Sequence, residues 1–309
     1  MISDFIVSTN DCSTNLWIGG TNYIPIIPID EKNSNESQYI LNQMSYCLTN
    51  LTSNPENFQF SSPHSSAFLN LNPFNEDITS DLYLNGNEKG HYIFNKPGKG
   101  FDPTYNEVII TYPEQTIQGQ SIFLDVNYDG TLDHLIPVCM DKKATSFNDC
   151  RQIGIMALDR TTKSWFNVLD EIRDDDIVNS KRTLSFSNQS FFGDLEIWAP
   201  VTLRVGDLNY DTYPDLVTVF VDCDSSRSRT FAVILFNVAH NDSGTVNPFG
   251  RKFKLGWMSD TPENVALATV FDLYNNGRLV VLFTIETNAT TYQTIYYDYF
   301  IEKAVYYSF

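Results

Sequence analysis

The chain has 309 residues, 42% of them hydrophobic and 14% aromatic, with 38 Asp and Glu against 20 Lys and Arg and a net charge of −18. That is enough apolar side chain for a sizeable core and too much for disorder. The acidic balance argues against a nucleic-acid partner, because phosphate binding needs a basic face, and short Asp/Asn runs point instead to hard cations.

From the N-terminus, residues 1–4 (MISD) carry neither the basic nor the apolar region of a leader, and the expectation is that any signal peptide lies outside this chain. The longest clean apolar runs, residues 231–236 and 279–283, are far short of a membrane-spanning helix. Helical periodicity is scarce, its best stretch being the short one over residues 39–47. Period-two alternation predicts strands over residues 121–125, 201–205, 216–221, 231–238, 269–272 and 294–297, with turn-rich stretches such as 85–90 and 222–229 between them.

A unit recurs along the chain: an apolar strand, an Asp/Asn-rich loop, an Asp, and a second apolar strand. It reads AFLNLNPFNEDITSDLYL at 67–84, SIFLDVNYDGTLDHLIPV at 121–138, VTLRVGDLNYDTYPDLVTVF at 201–220 and TVFDLYNNGRLVVLFT at 269–284. The first carries an extra residue or two inside its loop, and residues 1–6 look like the tail of one more unit, with Asp4 at the closing position. Uneven spacing hides the repeat from a fixed-period search. Each loop leaves room for two further strands, which in the third full unit are 229–240 and 252–258. Four antiparallel strands per unit is the composition of a propeller blade, and blades stack because none buries both faces alone. The expected fold is therefore all-β, a partial β-propeller of about four to five four-stranded blades filling 1–309, with repeat units centred on loops 70–81, 125–133, 207–215 and 272–280. A closed ring of seven such blades needs more residues, so the chain reads as a fragment begun at an internal methionine.

Two loops carry a full oxygen set. Asp125, Asn127, Asp129 and Asp133 stand at loop positions 1, 3, 5 and 9, and Asp207, Asn209, Asp211 and Asp215 repeat the spacing. Calcium takes six to eight oxygens, and a tight loop turns alternate side chains inward while a backbone carbonyl adds another, so calcium is the expected cofactor. Gly130 suits the sharp turn at position 6; Thr212 in the other loop is expected to strain it. An EF-hand begins alike but closes with Glu at position 12 between helices, whereas here position 12 is Ile136 or Thr218 between strands. The first unit offers a weaker set, Asn75, Asp77 and Asp81, with Asn70 or Asn72 at the loop start. The last unit keeps Asp272 and Asn276 but has Tyr274 and Val280 at positions 3 and 9, and is expected to bind no metal. Plain Asx turns without metal are the bland alternative for all of these loops.

Five cysteines, Cys12, Cys47, Cys139, Cys150 and Cys223, form no C-x-x-C pair, so neither zinc nor thioredoxin chemistry is signalled. Cys139 and Cys150 flank ten residues after a loop strand, a span suited to a hairpin closed at its neck, and are expected to form a disulfide; Cys12 with Cys47 is a weaker pair. Glycosylation sequons stand at Asn35, Asn50, Asn188, Asn241 and Asn288, and with the acidic loops they favour the secretory route. Four scattered histidines fit no metal motif, and no nucleophile elbow or phosphate loop occurs, so no catalytic residue is assigned.

The blade motifs resemble the FG-GAP repeats of integrin α chains, and the ordered series resembles the T-cell immunomodulatory protein (linkin) family more closely. It is carried by Pro63-His64-Ser65 leading to Ala67-Phe68, Gly119-Gln120-Ser121, Asp133-His134-Leu135-Ile136-Pro137, Cys139 with Cys150, Trp165, Gly206-Asp207-Leu208-Asn209 leading to Tyr213-Pro214-Asp215, and Phe271-Asp272-Leu273-Tyr274. The resemblance implies a single-pass type I membrane protein with a propeller ectodomain, acting in adhesion or immune modulation, with its signal peptide and span missing from this chain. The expected function is binding of a protein partner at the cell surface, with no enzyme activity. The alternatives are an extracellular carbohydrate-active enzyme, which would show a carboxylate pair in a cleft, or a lectin, which would show exposed aromatics beside a shallow polar pocket.

Overall fold

The computed structural model describes residues 5–6, 17–18, 66–71, 80–86, 89–94, 107–113, 117–172, 182–188, 201–224, 229–240, 247–288, 291–299 and 303–307. Asp4, Cys12, Asn35, Cys47, Asn50, Asn72, Asn75, Asp77, Asn241 and the 39–47 stretch lie outside them. The described residues are all-β apart from one 3-10 turn at Phe147–Asp149, and no helix among them is long and apolar enough to cross a membrane. Two compact units divide the chain, residues 1–112 and 113–309.

In the first unit β1 (Phe5–Ile6) pairs with β2 (Trp17–Ile18), and β3 (Ala67–Leu69), β4 (Asp81–Asn85), β5 (Lys89–Ile93) and β6 (Glu107–Thr111) form an antiparallel meander in chain order. Leu82, Leu84, Tyr92 and Ile93 are buried within it. Tyr83 and Tyr112 share a 2.7 Å hydroxyl–hydroxyl bond, and the Tyr112 hydroxyl also donates to the Asn85 side chain. Gly90 leaves room for this cluster, since a Cβ there would lie 2.9 Å from the Tyr83 ring.

The described residues of the second unit form three antiparallel sheets. The first contains β7 (Ile117–Gln118), β8 (Ile122–Leu124), β9 (Asp133–Cys139), β10 (Ile153–Asp159) and β11 (Ser164–Asn167). The middle sheet contains β12 (Leu184–Phe186), β13 (Arg204–Gly206), β14 (Asp215–Asp222), β15 (Thr230–Ala239) and β16 (Arg251–Met258), and the last contains β17 (Asn264–Phe271), β18 (Val280–Asn288), β19 (Thr291–Asp298) and β20 (Lys303–Tyr307). All three, like β3–β6, are four-stranded meanders in which the first strand runs into an Asp/Asn loop and the second strand follows it. In two sheets that first strand is split: β7 and β8 both pair with β9, and β12 and β13 both pair with β14.

Successive strand residues point to opposite faces, and in the middle sheet both faces are buried. Phe186, Leu216, Phe220, Phe231, Val233 and Leu235 pack toward the first sheet with Leu135 and Ile155. Val217, Ala232 and Ile234 pack toward the last sheet with Val265, Phe283 and Ile295, beside a Trp257–Tyr297 stack with centroids 4.0 Å apart. A strand buried on both sides reads as an unbroken apolar run, which is how TFAVILFNVA at 230–239 looks.

Two expectations are corrected. The strand predicted over 201–205 begins only at Arg204, because the Val201 carbonyl accepts the Gln120 N–H at 2.8 Å, joining two sheets, and the buried Val201 and Leu203 serve packing without a ladder. The loop at 70–81 is three residues longer than its counterparts, where one or two had been expected: Asp81 accepts the Leu71 N–H, which makes Asn70 position 1 in place of the Asn70-or-Asn72 choice.

Candidate metal centres

Loops 125–133, 207–215 and 272–280 share one backbone. Positions 4 and 6 have positive φ in each: 62° and 84° at Tyr128 and Gly130, 58° and 76° at Tyr210 and Thr212, 52° and 80° at Asn275 and Gly277. The left-handed region is easy for Gly and tolerable for Asn, but a β-branched Thr at 76° is strained.

The side chains at positions 1, 5 and 9 organise this backbone. Asp125 accepts the N–H groups of Asp129 and Gly130 at 2.9 and 2.7 Å, and Asp272 accepts those of Asn276 and Gly277 at 3.1 and 2.7 Å. Position 5 accepts the N–H of position 7 in all three: Thr131 to Asp129 at 2.8 Å, Tyr213 to Asp211 at 2.9 Å and Arg278 to Asn276 at 2.9 Å. Asp207 differs. It takes the Thr212 N–H at 3.0 Å, but the Asp211 N–H turns to Asn209, so Asp207 Oδ1 is buried with no hydrogen-bond partner.

Position 9 opens the second strand of each meander. Asp81, Asp133 and Asp215 are buried, and each accepts the N–H of position 2, from Leu71, Val126 and Leu208, at 2.9–3.0 Å. That bond draws position 2 inward: the three side chains are at most 1% exposed, whereas Leu273, whose loop ends on Val280, is 38% exposed. Burial pushes the Asp133 carboxyl up to about 7, and the charges of Asp129 and Asp125 add to it. Asp215 rises to about 6 for the same reasons, with Asp211 and Asp207 as its neighbours; a second backbone bond, from Asn237 at 3.0 Å, holds it lower. Among the described residues no three His, Cys, Asp or Glu side chains gather as a ready metal site, the three Asp side chains of loop 125–133 and those of loop 207–215 included.

The loops touch one another. Tyr128 meets Tyr213 edge to face at 6.2 Å, and the Tyr210 hydroxyl accepts the Leu279 N–H at 2.9 Å. Fully buried Asn237 fastens two loops together: its amide donates to the Val126 carbonyl at 2.8 Å while its backbone N–H goes to Asp215. Arg251 donates to the Asn237 side chain and lies 3.5 Å above the Tyr213 ring. Asn237 escaped the sequence reading, although one Asn inside a ten-residue apolar strand was the available signal.

The other sites fall elsewhere. Cys139 and Cys150 are joined, with Cα atoms 5.9 Å apart, closing the segment between β9 and β10. Asn188 follows β12, and Asn288 ends β18. A cavity of about 650 Å³ is lined by Arg151, Asp170, Glu171, Arg182 and Lys252 and bounded by Ile172 and Arg182, the residues flanking the undescribed 173–181.

Fold and loops together define an all-β protein of repeated four-stranded meanders, each opening through an Asp/Asn loop. No family model matches the chain. It is 30% identical over 244 residues to mouse T-cell immunomodulatory protein and 31% identical over 229 to the human one, each match covering 71% of this chain and 34% of the relative. It is 25% identical over 188 residues to Protein linkin of Caenorhabditis elegans, covering 59% of the chain. The chain belongs to the T-cell immunomodulatory protein (linkin) family, and its match spans about a third of the length of these relatives.

Proposed function

We propose that the chain is part of a calcium-loop β-propeller of the FG-GAP kind, in the ectodomain of a cell-surface protein that works by binding another protein. The observation that carries the reading is the common backbone of three loops, with positive φ at positions 4 and 6 and oxygen side chains facing inward. The relatives' name supports an immune-modulating role, and four like meanders support blades.

The residues fit a divalent cation. Burial, and after it the charges of Asp129 and Asp125, raise the proton affinity of Asp133; burial and the charges of Asp211 and Asp207 do the same to Asp215, and a cation relieves that crowding. Asp207 Oδ1 is a buried acceptor with no donor. Carboxylate oxygens already bonded to N–H groups keep further lone pairs. Calcium would be held by Asp125, Asn127, Asp129 and Asp133 in one loop and by Asp207, Asn209, Asp211 and Asp215 in the next, where it supplies rigidity. Asn70 and Asp81 are the described members of a third set. The complete hydrogen bonding of loop 125–133 favours a rival reading, Asx turns closed without metal. Calorimetric titration decides: two calcium ions per chain are expected, one in Asp207→Ala, and no binding by the parent would leave the Asx turns alone.

Tyr128, Tyr210 and Tyr274, exposed at 67%, 44% and 53% beside these loops, favour a second reading, a lectin surface. A glycan array separates the two: saturable sugar binding lost in Tyr128→Ala favours the lectin, and an empty array favours protein binding.

A further inference from the structure

Cys223 is a free thiol in the turn after β14, where its N–H is held by the Thr183 carbonyl at 2.9 Å. Its Sγ donates to the Cys150 carbonyl at 3.4 Å. The next residue on each segment makes a second tie, Arg151 to Asp224 at 3.1 Å. Two parallel contacts, 150 to 223 and 151 to 224, thus hold the two segments side by side and set a third sulfur against the backbone of Cys150, the residue that carries one half of the Cys139–Cys150 disulfide.

We propose that Cys223 is the alternative partner of Cys150, making the three cysteines a disulfide relay between the first and middle sheets of the second unit. Cys223 loses its proton to solvent and its thiolate attacks Cys150 Sγ. The Cys150–Cys223 bond forms as the Cys139–Cys150 bond breaks, and Cys139 leaves as a thiolate that takes up a proton. One disulfide is exchanged for another, so no oxidant is consumed. The first link closes a segment between β9 and β10; the second staples that segment to the end of β14. Cys139 and Cys150 are fully buried, while Cys223 is half-buried and meets solvent. Burial and the charges of Asp224 and Asp222 push its thiol up to about 11, so the relay is slow at neutral pH and gains about tenfold per pH unit between 7 and 9.

Cys139→Ser leaves Cys150 and Cys223 to each other. The folded variant is equilibrated with reduced and oxidised glutathione, quenched with N-ethylmaleimide and peptide-mapped. A Cys150–Cys223 cross-link in most molecules is expected; alkylation of both thiols, or glutathione on Cys223 with Cys150 alkylated, overturns the proposal. Should that variant fail to fold, the parent chain with trace glutathione at pH 7, 8 and 9 gives the same information. A Cys150–Cys223 peptide that accumulates about tenfold faster per pH unit and is absent from Cys223→Ser supports the relay. The Cys139–Cys150 peptide alone at all three pH values, or a Cys139–Cys223 link, overturns it.

Discussion

At the scale of single residues, position 6 gives the simplest measure of how far loop chemistry controls stability. Thr212 sits at φ 76° with a branched side chain, so Thr212→Gly removes an αL penalty and returns part of it as unfolded-state entropy, a net gain of about 0.5–1 kcal/mol. The reciprocal change, Gly130→Ala, meets no atom within 4 Å and tests backbone strain alone, with an expected loss of about 1 kcal/mol. Urea melts in chelator measure both; a stabilised Gly130→Ala would sink the strain argument. Charge adds a pH signature. Asp133 and Asp215 have folded pKa values of about 7 and 6 against 3.8, so they favour the metal-free fold at low pH and withdraw that support as pH rises. His134, stacked on Phe123 and buried, is pulled down to about 3 from 6.5, so it favours the fold at higher pH and withdraws its support on acidification. The windows overlap between 3.8 and 6.5 and oppose each other. His134→Phe should therefore give a metal-free chain whose stability falls more steeply between pH 4.5 and 6.5 than the parent's, read from urea midpoints. The oxygen positions themselves were visible in sequence because odd spacing is a local property. Asn237 was not assigned, because the two loop residues it joins, Asp215 and Val126, lie 22 and 111 residues away.

At the scale of elements, β14 and β15 lie within a residue of the stretches 216–221 and 231–238 expected as strands, and because both faces are buried their sequence is a near-continuous apolar run. The split first strands were not legible: whether residues 201–203 join β14 or bond to Gln120 depends on a neighbouring sheet and not on their own pattern. The same holds for the ends of the 70–81 segment, where the Leu71 N–H bonds to Asp81 ten residues on. Two packing predictions belong here. Phe220 is fully buried and meets Phe186 at 5.3 Å, so Phe220→Ala should cost about 3–5 kcal/mol through a cavity between the first and middle sheets. Gly256 faces Phe236, where a Cβ would lie 2.0 Å from the ring. Gly256→Ala must displace that ring from its contact with Tyr299, at an expected cost of about 1–3 kcal/mol. Chemical denaturation measures both, and a neutral Gly256→Ala would show that the ring moves freely.

At the scale of the whole molecule, the proposed calcium sites would link metal binding to folding. Metal bound only by the folded loops stabilises by RT ln(1 + [L]/Kd). Extracellular sites bind at about 0.1–1 mM, so roughly 1 mM free calcium adds about 0.4–1.4 kcal/mol per filled site. Two sites together should raise the melting temperature by about 2–10 °C, given about 2–4 °C per kcal/mol for a unit of this size. Asp207→Ala should remove about half of that increment, because it takes away both a charge and the buried acceptor Oδ1. Asp272→Ala should leave the increment whole, because its loop has Tyr274 and Val280 where the other two have oxygen ligands. It should still lower the melting temperature in chelator, since the Asn276 and Gly277 N–H groups lose their acceptor. The readout is therefore the calcium-dependent increment, compared between variants, and not the melting temperature itself. An undiminished increment in Asp207→Ala would remove calcium from loop 207–215, and a loss confined to Asp272→Ala would move the ion to the loop with the fewest oxygens.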